Sequence, residues 1–509
     1  MRPTSGEVLA ERGIIDINAE LGPPLWPQKE CTYEDLADSR ARHGIRCVLV
    51  RERAAVSVSR AYGRDRLERA IAHDASMLPV ATATISVGGD LVGDLRAWAA
   101  AGARAVWVEP TEPWSTQSEA ARQALASAAT PGLPLLIPHR ASGDASAIGA
   151  LTVELGVPVV LVGVHYARYA DAFAAAQRYP HLRFETSSLA TYRAIDVAAA
   201  AIGHERILFG SGMPARTPAS ALNAVLLSGL GPSQQEAVLA GNASRLFGIS
   251  RGPVDLRAPR LPARALDVHT HFFPSPWPVP QVSDGELPAR LRAFGIRATI
   301  SSSVPALLGD LENGNARAVT ASVAASGQLA YLVADPNDLD AARGHLRRWL
   351  SAPGVMGVKV HCHYAGCQTD SDRVRALFGV LAEHGRPVKI HNMGPGWEAA
   401  LLAVARRHPK LPIVIAHAGL GIPSASAATV VANADRVYVE LSSSLADIRE
   451  CRSLVSAIPP ERLLFGSDAP LMDPGFVLGT YQDLGLEPDV LDRVFWDNAV
   501  ALFGEPGAS

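Results

Sequence analysis

The chain has 509 residues, 47 of them basic and 50 acidic, for a net charge of −3, with 48% hydrophobic and 19% charged residues and a mean hydropathy of +0.11. That composition belongs to a folded globular protein and excludes long disorder, and the near-neutral balance leaves no electrostatic reason to expect nucleic acid or an anionic membrane as partner. No apolar stretch approaches the roughly 20 residues that span a bilayer, and the opening MRPTSGEVLAERGIID lacks the apolar core of a signal peptide.

Taken in chain order, short β-branched runs alternate with longer Ala-, Leu- and Arg-rich stretches. In the first half, Arg46 to Val50 and Pro158 to Val162 read as strands buried on both faces, and DLRAWAAAGAR from Asp94 reads as an amphipathic helix ending near Gly. RGPVDLRAPRLPAR, residues 251–264, is rich in Pro and Arg without hydrophobic periodicity and reads as a linker. Strands resume at Ala298 to Ile300, Gly357 to Val360, Val388 to Ile390 and Ile413 to Ile415, with helices in LRRWLSAPG from Leu346 and DRVRALFGVLAEHG from Asp372. Such alternation implies parallel sheet in an α/β fold. The rival, an open doubly wound sheet, lacks a GxGxxG after an early strand. The five cysteines (Cys31, Cys47, Cys362, Cys367, Cys451) are odd in number and form no CxxC pair. They read as reduced thiols and place the protein in the cytoplasm.

The two halves repeat each other. GIIDINAE around Asp16 matches ALDVHTH around Asp267, and HGIRCVLV from His43 matches FGIRATIS from Phe294, both 251 residues on. ARAVWVEP then matches MGVKVHCH, LPLLIPH matches RPVKIHN, and ERILFGSGMP matches ERLLFGSDAP, the offset drifting to 256. GNASRLFG and DNAVALFG close the copies at Gly248 and Gly504. A slow drift in offset is a duplicated domain with small loop insertions. Each copy, residues 1–250 and 265–509, has the length of one barrel of roughly 250 residues, so the expected fold is two tandem (β/α)8 TIM-like barrels.

The chemistry lies in the second copy. In Asp267-Val268-His269-Thr270-His271 two histidines one residue apart sit at the end of a predicted strand, where alternate side chains share a face and both imidazoles converge on one point. Lys359, His361 and His363 follow in GVKVHCHY, then His391, His417 and Asp468, most of them at or just past the end of an apolar run. One such histidine is usually a hydrogen-bonded strand end. The whole set, in barrel order and offering N and O donors, suits a divalent ion.

These segments, DVHTHFFP, KVHCHYAG, VKIHNMG, VIAHAG, LLFGSDAP and DNAVALFG, resemble the amidohydrolase superfamily. The likeness is strongest to the branch containing aminocarboxymuconate-semialdehyde decarboxylase and many metal-dependent hydrolases, and it covers residues 265–509. The resemblance implies a metal-dependent (β/α)8 barrel in which His269, His271, His391 and Asp468 hold one ion, with His417 beside it. Asp468 would serve as base and then acid, and His417 would orient water or polarise a carbonyl, with Lys359 and His361 pointing inward. Zinc fits such ligands best, with manganese, iron and cobalt as alternatives. A carboxylated Lys359, with His391 and His417 on a second ion, is the binuclear alternative. Strand four reads KVH and strand five ends in HNMG, which departs from the best-known decarboxylases of the branch. Hydrolysis of an amide, lactone or activated C–C bond in a small molecule is therefore placed first. Non-oxidative decarboxylation of a small unsaturated or aromatic acid follows, and a non-enzymatic scaffold is the reading from another class.

The repeat replaces every one of these groups in the first copy. His269 and His271 become Asn18 and Glu20, Lys359 and His361 become Trp107 and Glu109, and His391, His417 and Asp468 become Pro138, Gly163 and Gly212. The first barrel is expected to be catalytically dead in this chemistry, with its role in packing against the second barrel, supporting a homodimer or supplying a loop over the active mouth. A rebuilt, different site near His139, His165, Glu20, Glu109 and Glu112 is the alternative. Glu185 and Glu440 align before Ser-rich turns and read as packing or loop hydrogen bonding rather than catalysis. Phe272, Phe273, Trp277, Tyr364 and Trp397 are candidates for an apolar substrate wall.

Overall fold

The computed structural model describes residues 13–23, 29–84, 90–110, 113–250, 252–272, 274–277, 279–324, 326–419 and 421–506. The chain divides into two compact units, 1–259 and 260–509. In the first, eight parallel strands follow one another in sequence order. They are β1 (Ile14–Leu21), β2 (Ile45–Glu52), β3 (Met77–Thr84), β4 (Ala105–Glu109), β5 (Leu135–Pro138), β6 (Val159–Val162), β7 (Leu182–Glu185) and β8 (Ile207–Leu208). The segment after β8 returns to β1: Ile17 N donates to Phe209 O at 3.0 Å and Gly212 N to Asn18 O at 2.8 Å.

The second unit repeats this with β9 (Ala265–Phe272), β10 (Ile296–Ser303), β11 (Gln328–Val333), β12 (Val355–His361), β13 (Val388–His391), β14 (Ile413–Ile415) and β15 (Val437–Val439). Its eighth position is the irregular segment from Leu463, bridged to β15 at Val439 and to β9 at Thr270. Val268 N donates to Phe465 O at 2.9 Å, which closes the ring. Each unit is a (β/α)8 barrel. Closure removes every sheet edge, and helices between the parallel strands cover the outer face.

The segments common to the two halves do matching jobs. The last helix of each copy, Asn242–Phe247 or Asn498–Phe503, packs into a core cluster with strand residues, Ala243 and Phe247 against Ile15 and Leu49 in one, Ala499 and Phe503 against Leu266 and Tyr331 in the other. Its first residue anchors it: Asn242 Nδ2 donates to Ile207 O at 2.7 Å, and Asn498 Nδ2 donates to Leu463 O at 2.9 Å. The arginine of ERILF and ERLLF, Arg206 or Arg462, donates to carbonyls such as Ala176 O or Ala434 O in the segment that leads into the seventh strand.

One brace differs. In the first barrel Thr186 Oγ1 donates to Gly210 O at 2.9 Å and accepts from Gly210 N at 3.0 Å. In the second, the buried Tyr481 hydroxyl donates to Leu464 O at 2.9 Å and accepts from Leu441 N at 2.8 Å and Gly466 N at 3.2 Å. Removing it strands buried amide groups, each costing about 1–3 kcal/mol. Tyr481→Phe is therefore expected to lower unfolding stability by about 2 kcal/mol or more, read as a shifted denaturant midpoint with an unchanged slope.

Candidate metal centre

Strand geometry carries the side chains to one end of the second barrel. His269 and His271 lie near the C-terminal end of β9, Lys359 and His361 end β12, and His391 ends β13. His417 follows β14, and Asp468 follows the eighth strand position. In parallel barrels this end carries the active site.

Three groups meet most closely. His271 Nε2 lies 2.8 Å from Asp468 Oδ1 and His269 Nε2 lies 3.4 Å from the same oxygen, so His269, His271 and Asp468 form one buried ligand trio. Lys359 Nζ stands 3.4 Å from His269 Nε2. The outer ring nitrogens are held from behind, His269 Nδ1 by Glu440 Oε1 at 2.7 Å and His271 Nδ1 by Ser302 Oγ at 3.1 Å. That anchoring turns both Nε2 atoms toward Asp468, the arrangement a metal-binding histidine needs. A second buried group, His269, His417 and Glu440, shares its histidine with the first. Among the described residues both groups lie in the second barrel.

His391 is a nominal ligand that stands apart from the trio. Its ring stacks on His361 at 4.1 Å between centroids and meets His417 edge-on at 4.9 Å. His417 in turn lies 4.8 Å from His269, so the imidazoles form a continuous row. His391 Nδ1 is buried without a hydrogen-bond partner among the described residues. His363 is exposed on the loop beyond β12, while Cys362 is buried.

The electrostatics suit a cation. Burial, helped by the charges of Lys389 and Lys359, holds His269 well below the usual imidazole range, and burial does the same to His361 and His391. Neutral imidazoles are ready to coordinate. Burial pushes the Asp468 carboxyl up, but the His271 hydrogen bond and the nearby positive charges outweigh it and leave it below its ordinary value. Burial and the charge of Lys389 bring Lys359 down to about 7.

Glu440 does more than the repeat suggests. The reading of Glu440 as packing or loop bonding alone is corrected here: besides accepting from His417 N and Ser442 N, both at 2.8 Å, it grips His269. Glu185 makes the matching backbone bonds, to Gly163 N and Ser187 N at 2.8 Å, but faces Asn18 in place of an imidazole. Retention in both copies reflects the shared brace and hides the extra task. Gly466 makes room for it, since a Cβ there would lie 2.8 Å from Glu440 Oε2 and 2.9 Å from His269 Cβ. Glu440→Gln is expected to weaken metal binding about 10–100-fold with the fold intact, measured by competition with a chromogenic chelator.

His417 (φ 55°), Ala418 (φ 46°) and Asp468 (φ 62°) adopt left-handed backbone that glycine favours. In the first barrel the residues matching His417 and Asp468 are Gly163 (φ 73°) and Gly212 (φ 78°). Both turns are left-handed, but the second barrel holds them with side chains that strain them.

The aromatic wall is smaller than the five candidates. Phe272 and Trp397 are buried in packing, and Phe273 lies outside the described residues. Trp277 and Tyr364 stack at 6.3 Å with their planes 25° apart, Trp277 meeting His271 edge-on and Tyr364 stacking on His361 at 4.1 Å.

A parallel barrel with histidines and an aspartate converging at its strand ends defines a class of metal-dependent catalysts. A family model described as Amidohydrolase matches residues 37–249 and 266–504, and the chain belongs to that family. No curated protein matches it. Among solved structures it is similar to a 2,6-dihydroxybenzoate decarboxylase from Rhizobium (17% identity, 48% of this chain and 99% of that one, TM-score 0.37). It is also similar to a probable 2-pyrone-4,6-dicarboxylic acid hydrolase from Acinetobacter baumannii (14% identity, 47% and 100%, TM-score 0.38). A third is a 5-carboxyvanillate decarboxylase from Sphingomonas paucimobilis (15% identity, 47% and 99%, TM-score 0.38). No described helix is long and apolar enough to cross a membrane.

Proposed function

We propose that residues 260–509 form a metal-dependent active site for a small planar carboxylic acid, and that the reaction is its non-oxidative decarboxylation. The observation that supports this order is the flat wall of Trp277 and Tyr364, joined directly to His271 and His361 at the edge of the ligand trio. Such a wall suits an unsaturated or aromatic ring lying with its polar groups toward the ligands. His269, His271 and Asp468 would hold a divalent ion, with His391 and His417 next in line. Zinc, manganese, iron and cobalt all suit these N and O donors. When bound, the ion supplies positive charge that draws and neutralises the substrate's oxygens. Asp468, ionised at rest, is placed to take a proton from water or from the acid's own hydroxyl and deliver it to the ring carbon that carried the carboxylate. The C–C bond electrons then pair with that proton as CO2 departs, and His417 orients the substrate oxygen nearest it.

Hydrolysis is the second reading, and the buried Lys359 beside His269 favours it, because a lysine with lowered basicity at this place can accept CO2 and bridge two ions. Both readings meet one experiment. Metal-reconstituted protein is incubated with hydroxylated benzoates and with lactones, and products are followed by mass spectrometry. Loss of CO2 from a benzoate, abolished by chelation, supports decarboxylation. Gain of water by a lactone with no CO2 release overturns it in favour of hydrolysis. No turnover of either set by metal-loaded protein overturns the assignment to small planar acids.

A further inference from the structure

At the mouth of the first barrel all five imidazoles and the Asp468 carboxylate are replaced, two of the imidazoles by Glu20 and Glu109, and cationic side chains stand around the space. Asn18, Pro138 and Gly163 occupy the places of His269, His391 and His417, and Gly212 that of Asp468. A Cβ on Gly163 would meet no atom of the described residues within 4 Å, so the room of the missing His417 ring is open at its root. At Gly212 the nearest neighbour of a Cβ is Arg216 Cδ, at 3.2 Å. The Arg216 side chain thus lies across the place of the lost carboxylate. Counted from the helix caps that follow, Thr217 and Asp473, Arg216 is the counterpart of Met472.

Arg216 is held but not saturated. Its Nη1 donates to Ser187 O at 2.7 Å and Ser188 Oγ at 2.8 Å, while Nε and Nη2 have no hydrogen-bond partner among the described residues. The Arg168 side chain makes neither a hydrogen bond nor an ion pair among the described residues. His165 is within electrostatic reach of both. Burial first, and then the charges of Arg168 and Arg216, push its imidazole down to about 4, so it stays neutral and available as a hydrogen-bond partner.

Further charge comes from Arg51, whose guanidinium lies 4.1 Å over the Trp107 ring and pairs, with buried Arg53, to Glu20. Glu20 feels Arg51, Arg53 and Arg216 together. Glu185, the other carboxylate near Arg216, already accepts from Gly163 N, Ser187 N and Ser187 Oγ. Glu109 is paired to Arg140, and Glu112 lies outside the described residues, so among those described guanidinium exceeds free carboxylate around the open place at Gly163.

We propose that this mouth is a binding site for a small carboxylate, gripped by Arg216 and Arg168 over the space at Gly163, with His165 alongside and Arg51 adding charge. A forked, planar guanidinium with free N–H groups matches a two-oxygen planar anion. This assignment stands on the first barrel alone and does not depend on the reaction of the second.

The test is isothermal titration calorimetry of the full chain after removal of metal by a chelator, so that a metal centre in the second barrel takes no part. Malonate, benzoate and inorganic phosphate are titrated separately. One saturable site per chain for malonate or benzoate is expected, weakened about tenfold or more by Arg216→Met, which installs the second barrel's own residue, and also by Arg168→Gln. Thermal unfolding without ligand checks each variant, and Arg168→Gln carries the test should Arg216→Met fail to fold. Absence of binding by all three probes overturns the proposal. Binding of phosphate alone, or carboxylate binding that survives both substitutions, overturns it equally.

Discussion

Asp468→Asn is expected to lower turnover by about 10²–10⁴-fold, the range for losing a positioned acid–base group. The carboxylate is buried, accepts from His271 at 2.8 Å, and sits 3.4 Å from His269, so it has no equivalent nearby to take over. Asparagine keeps the size and one oxygen but cannot hold and release a proton. Rates are to be compared per bound metal ion, because the same substitution weakens a ligand. A variant that turns over as fast per ion as the parent would remove Asp468 from the chemistry and leave it a ligand only.

The second large effect concerns the ion itself. His271→Ala should strip the chain of bound metal, whereas Asn18→His, at the place in the first barrel that matches His269, should add none. Elemental analysis by mass spectrometry on protein without a metal-binding tag reads both. About one ion per chain in the parent is the expected count for one trio, and structural or catalytic sites need at least three protein ligands. One added imidazole in the first barrel faces Glu20 already paired to Arg51 and Arg53, together with Gly212 in place of a carboxylate, and cannot complete a set. Near two ions in the parent would make Lys359 a bridge and strengthen hydrolysis. Metal retained in His271→Ala would place the centre elsewhere.

Much of this was legible in the residues because periodicity and repetition are written locally. The run Ile413 to Ile415 is a strand with the bounds its apolar residues suggest, and His361 and His391 end theirs. Features that depend on what meets across the barrel were not. Glu440 looked like a shared brace, since nothing local says that an imidazole rather than Asn18 faces it. Phe272 reads as a mouth aromatic by position, yet it packs against Ala318, Ala321 and Ala330. Tyr481 gave no signal at all, because its hydroxyl serves amides from two distant segments. Short strand-end patterns favour hydrolysis, while the contacts that support the proposed decarboxylation, Trp277 edge-on to His271 and Tyr364 stacked on His361, are visible only in three dimensions.

The exchange of His417 and Asp468 for Gly163 and Gly212 gives the molecule an internal reference. The same turn exists twice in one polypeptide, once burdened and once at ease. Strained backbone of this kind costs about 1–3 kcal/mol per residue, and enzymes often hold such cost where function needs it. The first barrel carries the residue the turn itself prefers, and the second carries the side chains of the candidate centre. The difference between the halves therefore marks what that centre demands of this fold over and above folding.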